Sequence, residues 1–96
     1  MFEAGKYKNS SNKQIKEDLE KDGYQPLLIT EAPNDFLVSH THAASHILVV
    51  VDGEMKVKLK DDEIIMKPGD KITFGSHVKH AAYFGPKGCK YFWIEF

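Results

Sequence analysis

The sequence predicts a small all-β sandwich or barrel preceded by one short N-terminal α-helix. Three observations carry this prediction. Beyond Gly23, apolar residues recur at alternate positions or in short runs bounded by Gly, Pro, Asn and Asp, as in strands joined by turns. About eight such runs follow one another at close spacing, which is the habit of sandwiches and barrels. Only the stretch ahead of them carries apolar residues at helical spacing.

That stretch begins at Ser11, which stands three residues before Gln14. The pair fits a capping box, in which each side chain satisfies a free backbone N–H of the other residue. Ile15 and Leu19 then share one face, and Lys13, Lys16, Glu17, Asp18, Glu20 and Lys21 occupy the rest. Gly23 suits the left-handed position past the helix end. The result is an amphipathic helix of about three turns that packs a narrow stripe on something larger. Residues 1–10 form an arm, loose or docked, ahead of a single domain over residues 11–96.

The strand readings run in order. Gln25 to Thr30 ends at the breaker Glu31-Ala32-Pro33-Asn34-Asp35. Phe36 to His42 and His46 to Val51 follow. Asp52-Gly53 is a hairpin signal, because both positions tolerate positive φ. Glu54 to Lys60 alternates Met55, Val57 and Leu59 with Lys56, Lys58 and Lys60, and the lysines form a solvated face that discourages strand addition. Asp61-Asp62 turns the chain into Glu63 to Lys67, and Pro68-Gly69-Asp70 turns it into Lys71 to Phe74. His77 to Phe84 and Lys90 to Phe96 complete the set, separated by Gly85-Pro86-Lys87-Gly88. Ile47, Val49, Val51 and the terminal Tyr91 to Phe96 leave too few polar faces for an isolated two-layer object. The surplus is either a subunit interface, most simply that of a homodimer, or a surface covered by the helix and first strand.

Composition narrows the functional classes. Hydrophobic residues make up 42% and charged residues 28%, as in ordinary globular chains, and the formal net charge of −1 gives no footprint for nucleic acid or an anionic membrane. No apolar run approaches the ~20 residues of a membrane span. Met1-Phe2-Glu3-Ala4-Gly5-Lys6 lacks the basic start and apolar core of a secretory signal. Cys89 is the one cysteine, so a reducing cytoplasm is the expected compartment and an inert thiol the expected role.

The chemistry concentrates in His40-Thr41-His42-Ala43-Ala44-Ser45-His46. On a strand His40 and His42 project to the same side, and His46 opens the next run on the face of Leu48 and Val50. Imidazoles converging from the mouth of a strand pair make a metal site, and His80 supplies a fourth after a turn and another β-like run. His77 is out of phase with His80 and reads as a surface residue. Asp35, Tyr83, Tyr91 and Glu95 are candidate acid–base groups, each with an ordinary structural explanation as well.

These residues resemble the two motifs of the cupin superfamily. The first family motif runs Gly, five residues, His-x-His, three or four residues, Glu, six residues, Gly. Here Asn34 stands at the first glycine, then come His40 and His42, His46 at the glutamate, and Gly53. The second runs Gly-Asp, four residues, Pro-x-Gly, two residues, His. Gly69-Asp70 is present, Gly75 replaces the proline, His77 replaces the glycine, and His80 falls on the ligand position. The helix followed by Gly23-Tyr24 and a strand is similar to the lead-in of small single-domain cupins.

The resemblance implies an antiparallel jelly-roll β-barrel with a metal held by His40, His42, His46 and His80. Four imidazoles suit Zn, Fe, Ni or Cu, with Mn less favoured than beside a glutamate. It further implies a small organic molecule bound in the barrel mouth, against Phe36, Val38, Leu48, Val50, Phe84 and Trp93. Fe, Ni or Cu would suit dioxygenase-like chemistry, and Zn a hydrolytic or isomerising one. The alternative is a non-catalytic module that binds or senses a small molecule or a metal. A general acid or base facing the metal would separate the two.

Overall fold

A computed structural model of the chain describes residues 1–96. Strands β1 (Phe2–Glu3), β2 (Leu27–Glu31), β3 (Phe36–His40), β4 (His46–Lys58), β5 (Glu63–Met66), β6 (Lys71–Phe74) and β7 (His80–Glu95) accompany one helix, α1 (Asn12–Lys21). Every strand pairing is antiparallel. The two long strands β4 and β7 pair from His46↔Glu95 to Lys58↔Ala81 and belong to both layers of the jelly roll. On one half the order is β1-β6-β4-β7-β2; on the other, β5 flanks β4 and β3 flanks β7.

The expected hairpin at Asp52-Gly53 does not form. The chain passes straight through it, and the expected strands on either side are one strand, β4. Likewise the turn expected at Gly85 to Gly88 lies inside β7. Both strands bend here, where the register shifts between Val50 and Asp52 and again between Gly53 and Met55. The positive φ that the Asp-Gly pair makes available is spent on this bulge, with Gly53 at φ 71. The step from Val50 to Met55 is odd, so the inward face changes parity without a chain reversal. Leu48, Val50, Met55 and Val57 accordingly belong to one core with Ile72, Phe74, Ala82, Phe84 and Tyr91. Pairing with β7 along the whole length outweighs a local preference that either arrangement satisfies.

A second core lies on the outside of the sheet. Ile15 and Leu19 of α1 and Tyr7 pack on Ile47, Val49, Phe92 and Ile94, with Tyr24 and Val51 at the margin. The helix thus covers the apolar surplus read from the sequence on β4 and β7. Residues ahead of it are docked: Phe2 and Glu3 pair with Ile72 and Lys71, and the buried Tyr7 donates its hydroxyl to Asp18 at 2.5 Å. No helix is long and apolar enough to cross a membrane.

The capping box of α1 is present on both sides. Gln14 N–H donates to Ser11 Oγ at 3.1 Å and Ser11 N–H donates to Gln14 Oε1 at 2.8 Å. Because α1 seals the outer core, loss of the cap should register in global stability. Ser11→Ala is expected to cost about 1 kcal/mol, or roughly 4–8 °C in Tm for a domain of this size. Thermal melts followed by circular dichroism check this, and an unchanged Tm would contradict it.

Candidate metal centre

The four histidines come from three strands and the loop between two of them. His40 ends β3 and pairs with His80 at the start of β7, so backbone register alone sets their rings together, 4.5 Å apart by centroid. His42 follows in the loop to β4, its ring 4.6 Å from that of His40. Backbone hydrogen bonds hold this loop in place. Ser45 and Phe96 exchange both of theirs at 2.9 Å, and His77 N–H donates to the His42 carbonyl at 2.7 Å.

Two departures from the family motifs have a physical account. Asn34 and His77, which stand where the motifs have glycine, adopt φ 61 and φ 62. The left-handed conformation that glycine takes without strain is kept by side chains that tolerate it less well. His77 therefore serves through its main chain, and its ring stays outside the cluster, as the phase of the strand predicts.

His40, His42 and His80 each present a ring nitrogen such that all three nitrogens lie within 4.8 Å of one another. Two of the tautomers follow from their partners. Nδ1 of His40 lies 2.6 Å from the Val38 carbonyl, and Nδ1 of His80 lies 3.0 Å from the Val78 carbonyl. A carbonyl oxygen only accepts, so each Nδ1 carries the proton and each Nε2 presents a lone pair. Phe74 stacks flat on His80 at 4.3 Å and fixes the plane of its ring. Burial holds the His80 pKa below its ordinary value, with His40, His42 and His46 adding repulsion and the Val78 carbonyl opposing it. His42 is likewise lowered, by burial first and then by His46 and His40, with Glu95 opposing. The neutral imidazole that a cation requires is thereby favoured.

His46 stands apart from this trio. Its ring lies 4.1 Å from that of His42, but it is 2% exposed and its Nε2 faces Glu95 Oε2 at 3.4 Å. That contact lacks hydrogen-bond geometry, so Nε2 is a buried polar atom without a partner. An orphaned nitrogen, two oriented Nε2 lone pairs and a third imidazole in reach are the donor chemistry of a transition-metal site, and the residues fit such an ion.

Of the acid–base candidates, only Glu95 comes near the histidines. Tyr91 is buried in the inner core and donates to Glu31 Oε2 at 2.7 Å, and burial and that carboxylate push its pKa far up. Tyr83 lies on the outer face, stacked with Phe36. Asp35 accepts the N–H of Phe36 and shapes the turn before β3. Cys89 is buried, and its thiol is pushed up to about 12, chiefly by that burial, which makes it inert at neutral pH.

The histidines open onto a cavity of about 350 Å³. Of the lining expected from the sequence, Val38, Leu48 and Trp93 are found there. Phe36 faces outward beside Tyr83, and Val50 and Phe84 face inward but lie in the packed core rather than on the cavity wall. Leu37, Met55, Val57, Phe74 and Ala82 complete the wall.

Comparison with solved structures returns proteins of the same fold. A cupin-2 domain containing protein from Shewanella frigidimarina is 25% identical, with 75% of this chain and 69% of that one covered at a TM-score of 0.65. KdgF from Halomonas sp. is 20% identical over 75% and 68% of the chains, also at 0.65. The DMSP lyase DddQ from Ruegeria pomeroyi is 17% identical, with 71% of this chain and 35% of that one covered at 0.65. This chain thus spans about two thirds of the first two and about a third of the lyase. No curated protein matches it. The family model described as a cupin domain matches residues 27–95. That match runs from the first residue of β2 to the last of β7, and the chain belongs to the cupin superfamily.

Proposed function

We propose that this cupin holds one divalent transition metal through Nε2 of His40, Nε2 of His80 and His42, and acts there on a small organic molecule. His46 stands beside His42 as a fourth donor. The observation that carries this is the convergence of three ring nitrogens within 4.8 Å at the edge of an apolar cavity. Zn, Fe, Ni or Cu suits an all-imidazole set, and such an ion supplies Lewis acidity toward substrate oxygens. The chain's own residues orient and exclude. The Val38 and Val78 carbonyls fix two ring tautomers, Phe74 fixes the His80 plane, and the aliphatic wall keeps water from the bound molecule.

Glu95, beside His46, is the one carboxylate near the site able to take up and give back a proton, and it favours an isomerase- or dioxygenase-like enzyme. The aliphatic character of the remaining wall favours the second reading, a module that binds its ligand without turnover.

Elemental analysis of protein purified without affinity metal or chelator tests the metal. Near-stoichiometric Fe, Cu, Ni or Zn is expected, and none even after reconstitution would contradict the proposal. The affinity should also fall in acid. The His42 and His80 pKa values lie below the ordinary 6.5, so their contribution to metal-free stability is present above that value and lost as pH falls through the folded values. Protons displace metal over the same range. Zinc titrations over falling pH should show affinity lost below the ordinary imidazole range, because the His42 and His80 values are lowered; affinity that does not fall at any acid pH where the protein stays folded would contradict imidazole ligation.

A further inference from the structure

Apart from its histidines and the indole N–H of Trp93, the cavity is walled by apolar groups. No lysine, arginine, carboxylate, amide or hydroxyl side chain lines it. The two-residue period of β4 explains this: Met55 and Val57 point in, while Lys56 and Lys58 point to the outer face. The one carboxylate at the histidine cluster, Glu95, is negative and repels an anion. We infer that the molecule taken by this site has a metal-chelating oxygen head and a compact, uncharged apolar body. This rests on the proposed metal centre. A charged or heavily hydroxylated body would bury polar groups against Leu48, Met55, Val57 and Phe74 with no partner, and the single indole N–H of Trp93 could satisfy only one of them, which is costly. At the ~30 Å³ that a water-sized group occupies in a liquid, the cavity admits roughly a dozen non-hydrogen atoms.

The test uses chelators that share a head and differ in body. Zinc-loaded protein is titrated with acetohydroxamate, hexanohydroxamate and adipate monohydroxamate, read by the fluorescence of Trp93, the only tryptophan. At roughly fourfold per buried methylene the four extra methylenes of hexanohydroxamate are worth about 250-fold at full burial, so it should bind more than about thirtyfold tighter than acetohydroxamate even when partly buried, and adipate monohydroxamate no tighter than acetohydroxamate. Equal or tighter binding of the adipate compound than of the hexanoyl one would overturn the inference. Val38 lies at the mouth and is 69% exposed, so Val38→Lys should fold. It should narrow the gap between the six-carbon pair, and an unchanged gap would overturn the role of the lining. Calorimetry with zinc alone separates the two levels. If no zinc binds, the metal reading fails, and metal-free protein is titrated with hexanol and hexanoate instead. Preference for hexanol then upholds the apolar cavity, and preference for hexanoate sinks it.

Discussion

Replacing His42 by alanine is expected to abolish stoichiometric metal binding while the barrel stays folded. The ring contributes one of three nitrogens in mutual reach, and without it His40 and His80 are left with only His46, which lies outside that trio. Loss of a supporting partner alone typically costs 10–100-fold in affinity. Loss of a ligand should therefore exceed about 100-fold. The fold should survive because what His42 gives the structure is its carbonyl, which accepts from His77 N–H, and alanine keeps it. His46→Ala makes the informative contrast. His46 lies outside the trio, so its variant should weaken zinc binding without abolishing it. Isothermal titration calorimetry of the two variants checks this. Unchanged affinity in the His42 variant would remove the ligand assignment.

Gly53→Ala should be the most damaging small substitution in the chain. Gly53 combines φ 71 with close approach of the facing strand: an added Cβ would stand 2.1 Å from the Gly88 carbonyl oxygen and 3.1 Å from Cys89 Cα. Those are backbone atoms at the shared bend of β4 and β7, and neither strand can retreat without disturbing the pairing that unites the two layers. The left-handed conformation costs an alanine roughly 1–2 kcal/mol, and the overlap adds about 1–3 kcal/mol. A fall in Tm of more than about 8 °C follows, if the variant folds at all. Gly23→Ala is the control, since its φ is 88 but nothing lies within 4 Å. It should cost about 1 kcal/mol. Thermal melts of the pair separate backbone conformation from close approach, and equal losses would contradict the role given to the bend.

The sequence is most legible where one local interaction decides the structure. Ser11 and Gln14 cap the helix that their spacing predicts, and Ile15 and Leu19 bury the stripe that they draw. The meeting of the histidines is legible only in part: strand register brings His40 against His80, while His42, expected on the same strand as His40, reaches the cluster from the loop that follows it. The long-range decisions are not legible. Asp52-Gly53 satisfies a hairpin and a bulge equally, and only the pairing partner, distant in sequence, selects the bulge. Phase alone does not mark the wall: Val50 and Phe84 face the inner core without lining the cavity, and Phe36 turns outward beside Tyr83. Phe2 and Glu3 carry no strand signal of their own, and an open edge of β6 recruits them. The orientation of His46 toward Glu95 depends on the register of β4 against β7, which no local pattern encodes.

The most direct test of the metal centre is a long-range ¹H–¹⁵N correlation spectrum of the imidazole side chains, recorded on metal-free and zinc-loaded protein. The expected result is zinc on Nε2 of His40 and His80 with the proton retained on Nδ1, the His42 ring shifted with them, and His77 unmoved. Histidine nitrogens that do not respond to zinc, or zinc on Nδ1 of His40 and His80, would contradict a metal centre built on these residues.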